Sequence, residues 1–191
     1  LEVKESVNVI TTSITFAASA NSVRYCGGNV YFADIDPDTY CLDINKVEEL
    51  IKSKPKGFFS GIIPVDLAGY AVNLEAFRKL ANEHGLWIIE DACHALSGKF
   101  KNSMVGSCKY SDITTFSFHA IKNITAGEGG AAMTNNSDIS KKLNLLRTHG
   151  ITREKKFFSK KNFKILPTHY EQILLGYNFR LTDFQAALAR N

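Results

Sequence analysis

The chain has 191 residues, a formal net charge of +4 and a hydrophobic fraction of 45%, which is the composition of one ordinary globular domain. The positively charged residues are not clustered in a segment that also contains interleaved aromatic residues, so we expect no nucleic-acid partner. No segment approaches the roughly 20 apolar residues of a membrane span, and the N-terminus lacks a signal-peptide pattern. A cytoplasmic protein without a membrane partner is therefore expected.

The first ninety or so residues alternate between short apolar runs and amphipathic stretches. The periodicity predicts strands at 7–11, 30–35, 58–65 and 86–89, and helices at 16–25, 44–51 and 74–84. Such alternation is typical of an α/β fold with a mostly parallel central sheet flanked by helices. In such sheets ligands bind beyond the carboxyl ends of the strands, which makes Asp91 a candidate for chemistry.

The second half of the chain has a different pattern. It predicts a strand at 112–118, a polar, glycine-rich segment at 119–130 and a short strand at 131–134. A helix is predicted at 137–146 with Ser137 as its N-cap, and another begins at Thr182. Residues 153–164 are basic and irregular and are interpreted as an exposed loop.

The four cysteines show no metal-binding pattern. Cys26, Cys41, Cys93 and Cys108 contain no C-x-x-C pair, and no histidine lies at ligand spacing around them. We therefore expect no metal site and interpret all four as buried or partly buried free thiols in a reducing compartment.

The segment Phe116–Lys122, followed by Gly127–Gly130, has the densest set of chemical groups. A lysine just past a strand, beside glycines that allow close backbone approach, is placed to meet a ligand. A deprotonated lysine amine forms Schiff bases with aldehydes such as that of pyridoxal phosphate, and the Ser117 hydroxyl can donate a hydrogen bond to a phosphate. Taken alone, Lys122 is better explained as an ordinary solvated surface charge.

Asp91 supplies the second group that pyridoxal chemistry needs. The cofactor ring works as an electron sink when its nitrogen is protonated, and a carboxylate beside that nitrogen holds the proton there. Asp91 and Lys122 are predicted at separate strand ends, where one would fix the pyridine nitrogen and the other the aldehyde carbon. Asp91 alone also fits a turn or helix-cap residue.

Together these motifs resemble the DegT/StrS sugar aminotransferase family of fold-type-I pyridoxal-phosphate enzymes. The resemblance rests on Ile10–Phe16, Glu90–Ala95, Phe116–Thr125, Gly127–Gly130 and Gly176–Asp183, and it covers nearly the whole chain in order. It implies pyridoxal 5′-phosphate as the cofactor, a fold-type-I large domain, and a homodimer with shared active sites.

The resemblance also implies a role for individual side chains. Lys122 would carry the cofactor as a Schiff base and later act as the base for the 1,3-proton shift. Asp91 would pair with the pyridine nitrogen, and His94 would contact the phenolic oxygen. The remaining implied contacts are Ser117 with the phosphate, Phe16 stacked on the ring, and Asn178 with the phosphate of the neighbouring subunit's cofactor. Outside the family pattern, His94 fits a structural histidine, Phe16 a core residue and Asn178 a turn.

A narrower resemblance points to a sub-group that serves pseudaminic acid synthesis. It rests on Gly106–Asp112, Leu146–Arg153, Tyr170–Gln172 and Leu175–Asn178. It implies transfer of an amino group from L-glutamate to C4 of a UDP-linked 4-keto-6-deoxy sugar. The basic loop 153–164 would then be a candidate to hold the UDP diphosphate, although a solvated loop is the simpler interpretation.

Family members are roughly twice as long as this chain. Residues 1–191 are therefore expected to be a partial cofactor-binding large domain, without an N-terminal segment and a C-terminal small domain. One alternative is a non-catalytic, truncated remnant of such an enzyme. Another is a sugar dehydratase of the same family, but those relatives have histidine in place of the Schiff-base lysine, and Lys122 argues against them.

Overall fold

The computed structural model describes residues 1–159, 166 and 168–190. The chain forms two compact units, residues 1–135 and residues 136–191. The predicted loop at 153–164 begins with a 3-10 turn at Lys155–Phe157, and its residues beyond Ser159 lie outside the described part. Within the described residues, none of the helices has the length and apolar character needed to cross a membrane.

The first unit contains eight strands, which are β1 (Asn8–Thr12), β2 (Asn29–Ala33), β3 (Phe59–Ile63), β4 (Trp87–Asp91), β5 (Lys99–Phe100), β6 (Ser103–Met104), β7 (Ile113–Ser117) and β8 (Gly130–Met133). Six of them form one sheet in the order β2-β1-β3-β4-β7-β8. All neighbours pair in parallel except β7 and β8, which are antiparallel, and β5 pairs only with β6. The predicted mostly parallel central sheet is confirmed.

Three helices flank this sheet, and their ends follow from local chemistry. They are α1 (Ala18–Tyr25), α2 (Ile44–Lys52) and α3 (Leu74–His84). The Asp43 and Asn73 side chains cap α2 and α3 by accepting backbone N–H groups of the first turn. Gly85 ends α3 in the left-handed conformation, with φ of 69°, which glycine adopts without strain.

Alternation along the strands divides the core into two layers. On one face Ile10 packs with Val47 of α2 and Phe77 of α3, all within 1% of complete burial. On the other face Val9 packs with Val23 of α1. Each such side chain contributes about 1.5–3 kcal/mol by leaving water. The two layers fix the sheet between helices and leave its carboxyl edge open for a site.

The second unit contains α4 (Ser137–Arg147), β9 (Ile151–Thr152), β10 (Glu171–Gln172) and α5 (Asp183–Arg190). β9 and β10 form an antiparallel pair. The prediction of Ser137 as the N-cap of α4 is wrong, because the Asn136 side chain accepts the N–H groups of Asp138 and Ile139. Ser137 is already the first helical residue.

The four cysteines are free, but their exposure differs from the expectation at one position. Cys41 and Cys108 are buried and Cys93 is half-buried, as predicted. Cys26 is exposed, because it follows the last turn of α1, where the chain bends away at Gly27 with φ of 84°.

Candidate active site

A cavity of about 380 Å³ opens at the carboxyl edge of the sheet. Its walls come from the segments that follow β1, β3, β4 and β7 and from the segment that leads into antiparallel β8. The volume is that of a small-molecule site. Five of the six predicted site residues line it, namely Phe16, Asp91, His94, Ser117 and Lys122.

Asp91 is the last residue of β4 rather than the residue after it. Its backbone is fastened on both sides, since Asp91 N donates to Pro64 O at 2.9 Å and Asp66 N donates to Asp91 O at 3.0 Å. Its carboxylate accepts a hydrogen bond from Ser19 Oγ at 2.7 Å and another from Cys93 N at 3.2 Å. The position and the plane of the carboxylate are therefore both fixed.

Lys122 lies in the loop between β7 and β8, one strand away from Asp91. Lys122 N donates to His119 O at 3.0 Å, and Ala126 N donates to Phe118 O at 2.9 Å, so the loop folds back on itself. Within the described part of the chain, the Lys122 amine has no hydrogen-bond or ion-pair partner. A half-buried amine without a partner, facing a cavity, is available to bind a ligand.

The glycines after Lys122 allow this loop to return to the sheet. A Cβ on Gly130 would come within 2.6 Å of Phe116 O, because the two strands begin their pairing there. Gly127 has φ of 76°, a left-handed conformation that glycine adopts without strain. Gly127 and Gly130 therefore serve the turn beside the lysine and the start of strand pairing, whereas the predicted close approach of this run to a ligand stays a prediction.

The pKa of the Cys93 thiol depends on two charged side chains of the cavity. Burial raises the pKa of the Cys93 thiol to about 12, and the Asp91 carboxylate adds to the rise. The positive charge of Lys122 acts in the opposite direction on the same pKa. The Asp91 carboxylate and the Lys122 amine thus both act on one small region of the cavity.

His94 is held by an unusual piece of backbone. Its Nδ1 accepts a hydrogen bond from Ala68 N at 3.2 Å. Ala68 has a left-handed backbone with φ of 53° inside the 3-10 turn Leu67–Gly69, a conformation that costs a non-glycine residue about 1 kcal/mol or more. With Nδ1 accepting, the neutral ring carries its proton on Nε2, which leaves a hydrogen-bond donor.

Ser117 and Phe16 both line the cavity. Ser117 ends β7, and its Oγ accepts a hydrogen bond from His119 N at 3.3 Å, which leaves the hydroxyl hydrogen for a ligand. Phe16 is 78% exposed, so the interpretation of this residue as part of the core is wrong. An exposed aromatic ring at the rim offers a flat apolar face to a bound ring.

Asn178, the sixth predicted residue, lies in the second unit. It forms an isolated antiparallel bridge with Thr148, and its neighbour Tyr177 donates a backbone hydrogen bond to Leu146 O at 2.7 Å. Its predicted contact with the cofactor phosphate of a neighbouring subunit stays a prediction.

Two buried carboxyl groups beside this site were not anticipated from the sequence. Asp66 and Glu90 are 0% and 1% exposed, and each has one oxygen without a donor among the described residues. Burial raises the pKa of Asp66 to about 8 and also raises the pKa of Glu90. Because a bare buried carboxylate oxygen is costly, we interpret the pair as sharing one proton between Asp66 Oδ2 and Glu90 Oε1.

Strand alternation gives a signal that could have identified Glu90. Glu90 and Asp91 are adjacent on β4, so their side chains point to opposite faces of the sheet. Asp91 faces the cavity, and Glu90 accepts hydrogen bonds from Ser111 and Thr114 on the buried side. Two neighbouring carboxylates on a buried strand therefore imply that one of them is internal.

The groups around the cavity fit pyridoxal 5′-phosphate. The unpaired amine matches the aldehyde of this cofactor, and the carboxylate held by two donors matches its pyridine nitrogen. The histidine that can donate from Nε2 matches the phenolic oxygen, the hydroxyl matches the phosphate, and the aromatic side chain matches the ring. A mostly parallel sheet that presents this set at its carboxyl edge has the fold of the fold-type-I pyridoxal-phosphate-dependent enzymes.

The chain belongs to the DegT/DnrJ/EryC1/StrS aminotransferase family, whose sequence model matches residues 1–191. It is 38% identical over 192 residues to the UDP-4-amino-4,6-dideoxy-N-acetyl-beta-L-altrosamine transaminase of Campylobacter jejuni subsp. jejuni serotype O:23/36, covering 100% of this chain and 46% of that protein. It is also 38% identical over 180 residues to GDP-perosamine synthase of Caulobacter vibrioides, covering 94% and 43%. The chain thus spans about half the length of the curated relatives it matches.

Solved structures agree with this assignment. Helicobacter pylori PseC, an aminotransferase involved in the biosynthesis of pseudoaminic acid, superimposes with a TM-score of 0.83 at 34% identity, over 97% of this chain and 45% of that one. The PMP form of the sugar aminotransferase Spr1654 from Streptococcus pneumoniae gives a TM-score of 0.83 at 26% identity, over 99% and 50%. Pyridoxal phosphate is the cofactor of this family.

Proposed function

We propose that this protein is an aminotransferase that moves an amino group from L-glutamate to C4 of a UDP-linked 4-keto-6-deoxy sugar. The observation that carries the proposal is the placement of Asp91 at the end of β4 and of Lys122 in the loop after the adjacent parallel strand β7, where both line one cavity. A carboxylate and an amine that line the same small cavity match the two groups that a pyridoxal ring needs at its ends. Residues 1–191 are proposed to belong to its cofactor-binding large domain.

Each cavity residue has a task in this proposal. When bound, pyridoxal 5′-phosphate supplies an aldehyde that captures amines and a ring that accepts electrons. Lys122 holds the aldehyde carbon, and Asp91 keeps the proton on the pyridine nitrogen. His94 donates from Nε2 to the phenolic oxygen, Ser117 donates to the phosphate, and Phe16 covers the face of the ring.

Lys122 has a second task once its amine is released. In its neutral form Nζ would be a base that accepts a proton from the carbon bearing the amino group and returns it to the carbon on the other side of that nitrogen, which is the 1,3-proton shift. The loop between β7 and β8 holds the lysine at the cavity wall, so the same amine serves donor and acceptor substrates in turn. This shuttle explains why one lysine is sufficient for both halves of a transamination.

The substrate part of the proposal is supported by the relatives. The Campylobacter relative is named for a UDP-linked sugar, and the Helicobacter structure for pseudaminic acid synthesis, whereas the Caulobacter relative is named for a GDP-linked sugar. We favour the UDP-linked sugar because the narrower sequence resemblance points to that sub-group. A cytoplasmic homodimer in which Asn178 reaches the partner's cofactor completes the proposal, with pseudaminic acid as the destination of the product.

The first experiment replaces Lys122 by Ala and, separately, by Arg. The wild-type protein mixed with pyridoxal phosphate should show the absorbance of a lysine-bound cofactor near the edge of the visible range, and both variants should lose it together with all transamination. Lys79, an exposed lysine on α3, provides the matched control, and its replacement by Ala should change neither property. Retention of the absorbance in the Lys122 variants would overturn the proposal.

A second experiment addresses the sugar. The protein is incubated with L-glutamate and either a UDP-linked or a GDP-linked 4-keto-6-deoxy sugar, and the 4-amino product is followed by mass spectrometry. Conversion of the UDP-linked sugar alone is expected. Conversion of the GDP-linked sugar alone would contradict the proposed substrate and leave the aminotransferase assignment standing.

A further inference from the structure

Asp91 is held by a relay of two hydroxyl groups from the segment that enters α1. Ser19, in the first turn of α1, is 5% exposed, and its Oγ donates to Asp91 Oδ2 at 2.7 Å. Thr15, which lines the cavity, has its Oγ1 at 2.8 Å from the same Ser19 Oγ. A serine hydroxyl has one hydrogen, and Asp91 receives it, so the Thr15 hydroxyl must donate to Ser19. The relay therefore runs in one direction, from Thr15 through Ser19 to Asp91.

The second oxygen of Asp91 is held by a different element. Cys93 N donates to Asp91 Oδ1 at 3.2 Å, from the segment that follows β4. Donors on both oxygens prevent rotation of the carboxylate about its Cβ–Cγ bond. Without the Ser19 hydroxyl, Asp91 would keep the longer hydrogen bond from Cys93 N to Oδ1 but lose the donor to Oδ2, and the carboxylate plane would be held less firmly.

We propose that Ser19 is a positioning residue, which aims the Asp91 carboxylate at the pyridine nitrogen, with Thr15 setting the direction of the Ser19 hydroxyl. The inference rests on the proposed function, because it takes Asp91 to be the partner of that nitrogen. Ser19 acts through Asp91, and each donor to a carboxylate also favours its charged form. A correctly aimed charge is needed to hold a proton on the ring.

The test compares Ser19→Ala, Ser19→Thr and the matched control Ser22→Ala. Ser22 lies on the same helix, but its Oγ donates to Ser19 O at 3.0 Å and not to Asp91. The Kd for pyridoxal phosphate is measured by fluorescence titration of the cofactor-free protein. Loss of a hydrogen bond to a charged group should weaken binding by Ser19→Ala about tenfold or more.

The rescue variant separates positioning from general damage to the helix. Ser19→Thr keeps the hydroxyl and should recover most of the lost affinity, whereas Ser22→Ala should bind like the wild type. Thr15→Val should weaken binding less than Ser19→Ala, because it removes only the outer member of the relay. Unchanged affinity in Ser19→Ala would overturn the inference, as would equal losses in Ser19→Ala and Ser22→Ala or a failure of Ser19→Thr to recover.

The same titration distinguishes this inference from the proposed function. A wild-type protein that does not bind pyridoxal phosphate, or a Lys122→Ala variant that keeps the visible absorbance, defeats the proposed function. A wild-type protein that binds through Lys122 while Ser19→Ala binds equally well defeats only the role of Ser19.

Discussion

Replacement of Asp66 by Asn tests whether Asp66 and Glu90 share one buried proton. The Asn side chain keeps an oxygen that can accept the Val72 amide hydrogen, as Asp66 Oδ1 does at 3.0 Å. Its amide nitrogen can donate to Glu90 Oε1, so Asn imitates the protonated acid at every pH. The variant should therefore fold, and its stability should lack the pH dependence that the proton brings.

The size of the effect follows from the pKa of Asp66. Burial raises this pKa to about 8 in the folded protein, and the charges of Glu90 and Asp91 also oppose ionisation, against a value of about 3.9 in the unfolded chain. A raised folded pKa gives stability that is complete below the unfolded pKa and is lost as the pH rises through the folded pKa. At about 1.4 kcal/mol for each pH unit, the loss between roughly pH 4 and pH 8 is at most about 6 kcal/mol.

Urea denaturation of the cofactor-free protein, followed by the fluorescence of Trp87, measures this loss between about pH 5 and about pH 9. The unfolding free energy of the wild type should fall with rising pH relative to Asp66→Asn, so that the variant becomes the more stable protein by a few kcal/mol near pH 9. Asp38→Asn, at an exposed position, should follow the wild type. A constant difference between Asp66→Asn and the wild type across this range would refute the shared proton.

Two further outcomes are expected from the structure. Burial raises the pKa of Cys93 to about 12, whereas Cys26 is exposed. Iodoacetamide near neutral pH should therefore alkylate Cys26 at least about tenfold faster than Cys93. Peptide mass spectrometry measures both rates, and equal rates would contradict this expectation. A Cβ on Gly61 would overlap the Trp87 ring on the neighbouring strand. Gly61→Ala should therefore lower the unfolding free energy by about 1–3 kcal/mol and alter the near-ultraviolet circular dichroism of Trp87. An unchanged spectrum and an unchanged stability would contradict this packing.

The fold and the two main site residues, Asp91 and Lys122, could be predicted because each depends on the local sequence pattern. Asp91 and Lys122 both come after apolar runs, and parallel strands bring the residues at their carboxyl ends to the same edge of the sheet. The ends of α3 could likewise be predicted from Asn73 and Gly85, whose local chemistry acts within one turn. The N-cap of α4 was misplaced by one residue because Asn136 and Ser137 are both good caps, and backbone geometry decides between them.

The roles of Ser19, Asp66 and Glu90 depend on contacts between distant parts of the chain, which the local sequence pattern does not show. Ser19 and Asp91 are 72 positions apart and meet because α1 follows β1, two strands away from β4. Asp66 and Glu90 meet by the same route, from the segment after β3 and the end of β4. A serine in a helix and an aspartate in a turn are common features of a sequence. Their partners here can be recognised only once the order of the strands in the sheet is known.

The way Asp91 is fastened into the sheet makes one end of the cavity mechanically stiffer than the other. Hydrogen bonds tie the Asp91 peptide to the chain after β3, and Ala92 N donates to Thr115 O of β7 at 3.0 Å, whereas Lys122 is anchored within its own loop. A ring held between them would have a fixed pivot at its nitrogen and a yielding support at its aldehyde. Small movements of such a ring would therefore be taken up on the Lys122 side, and its nitrogen would keep its place beside Asp91.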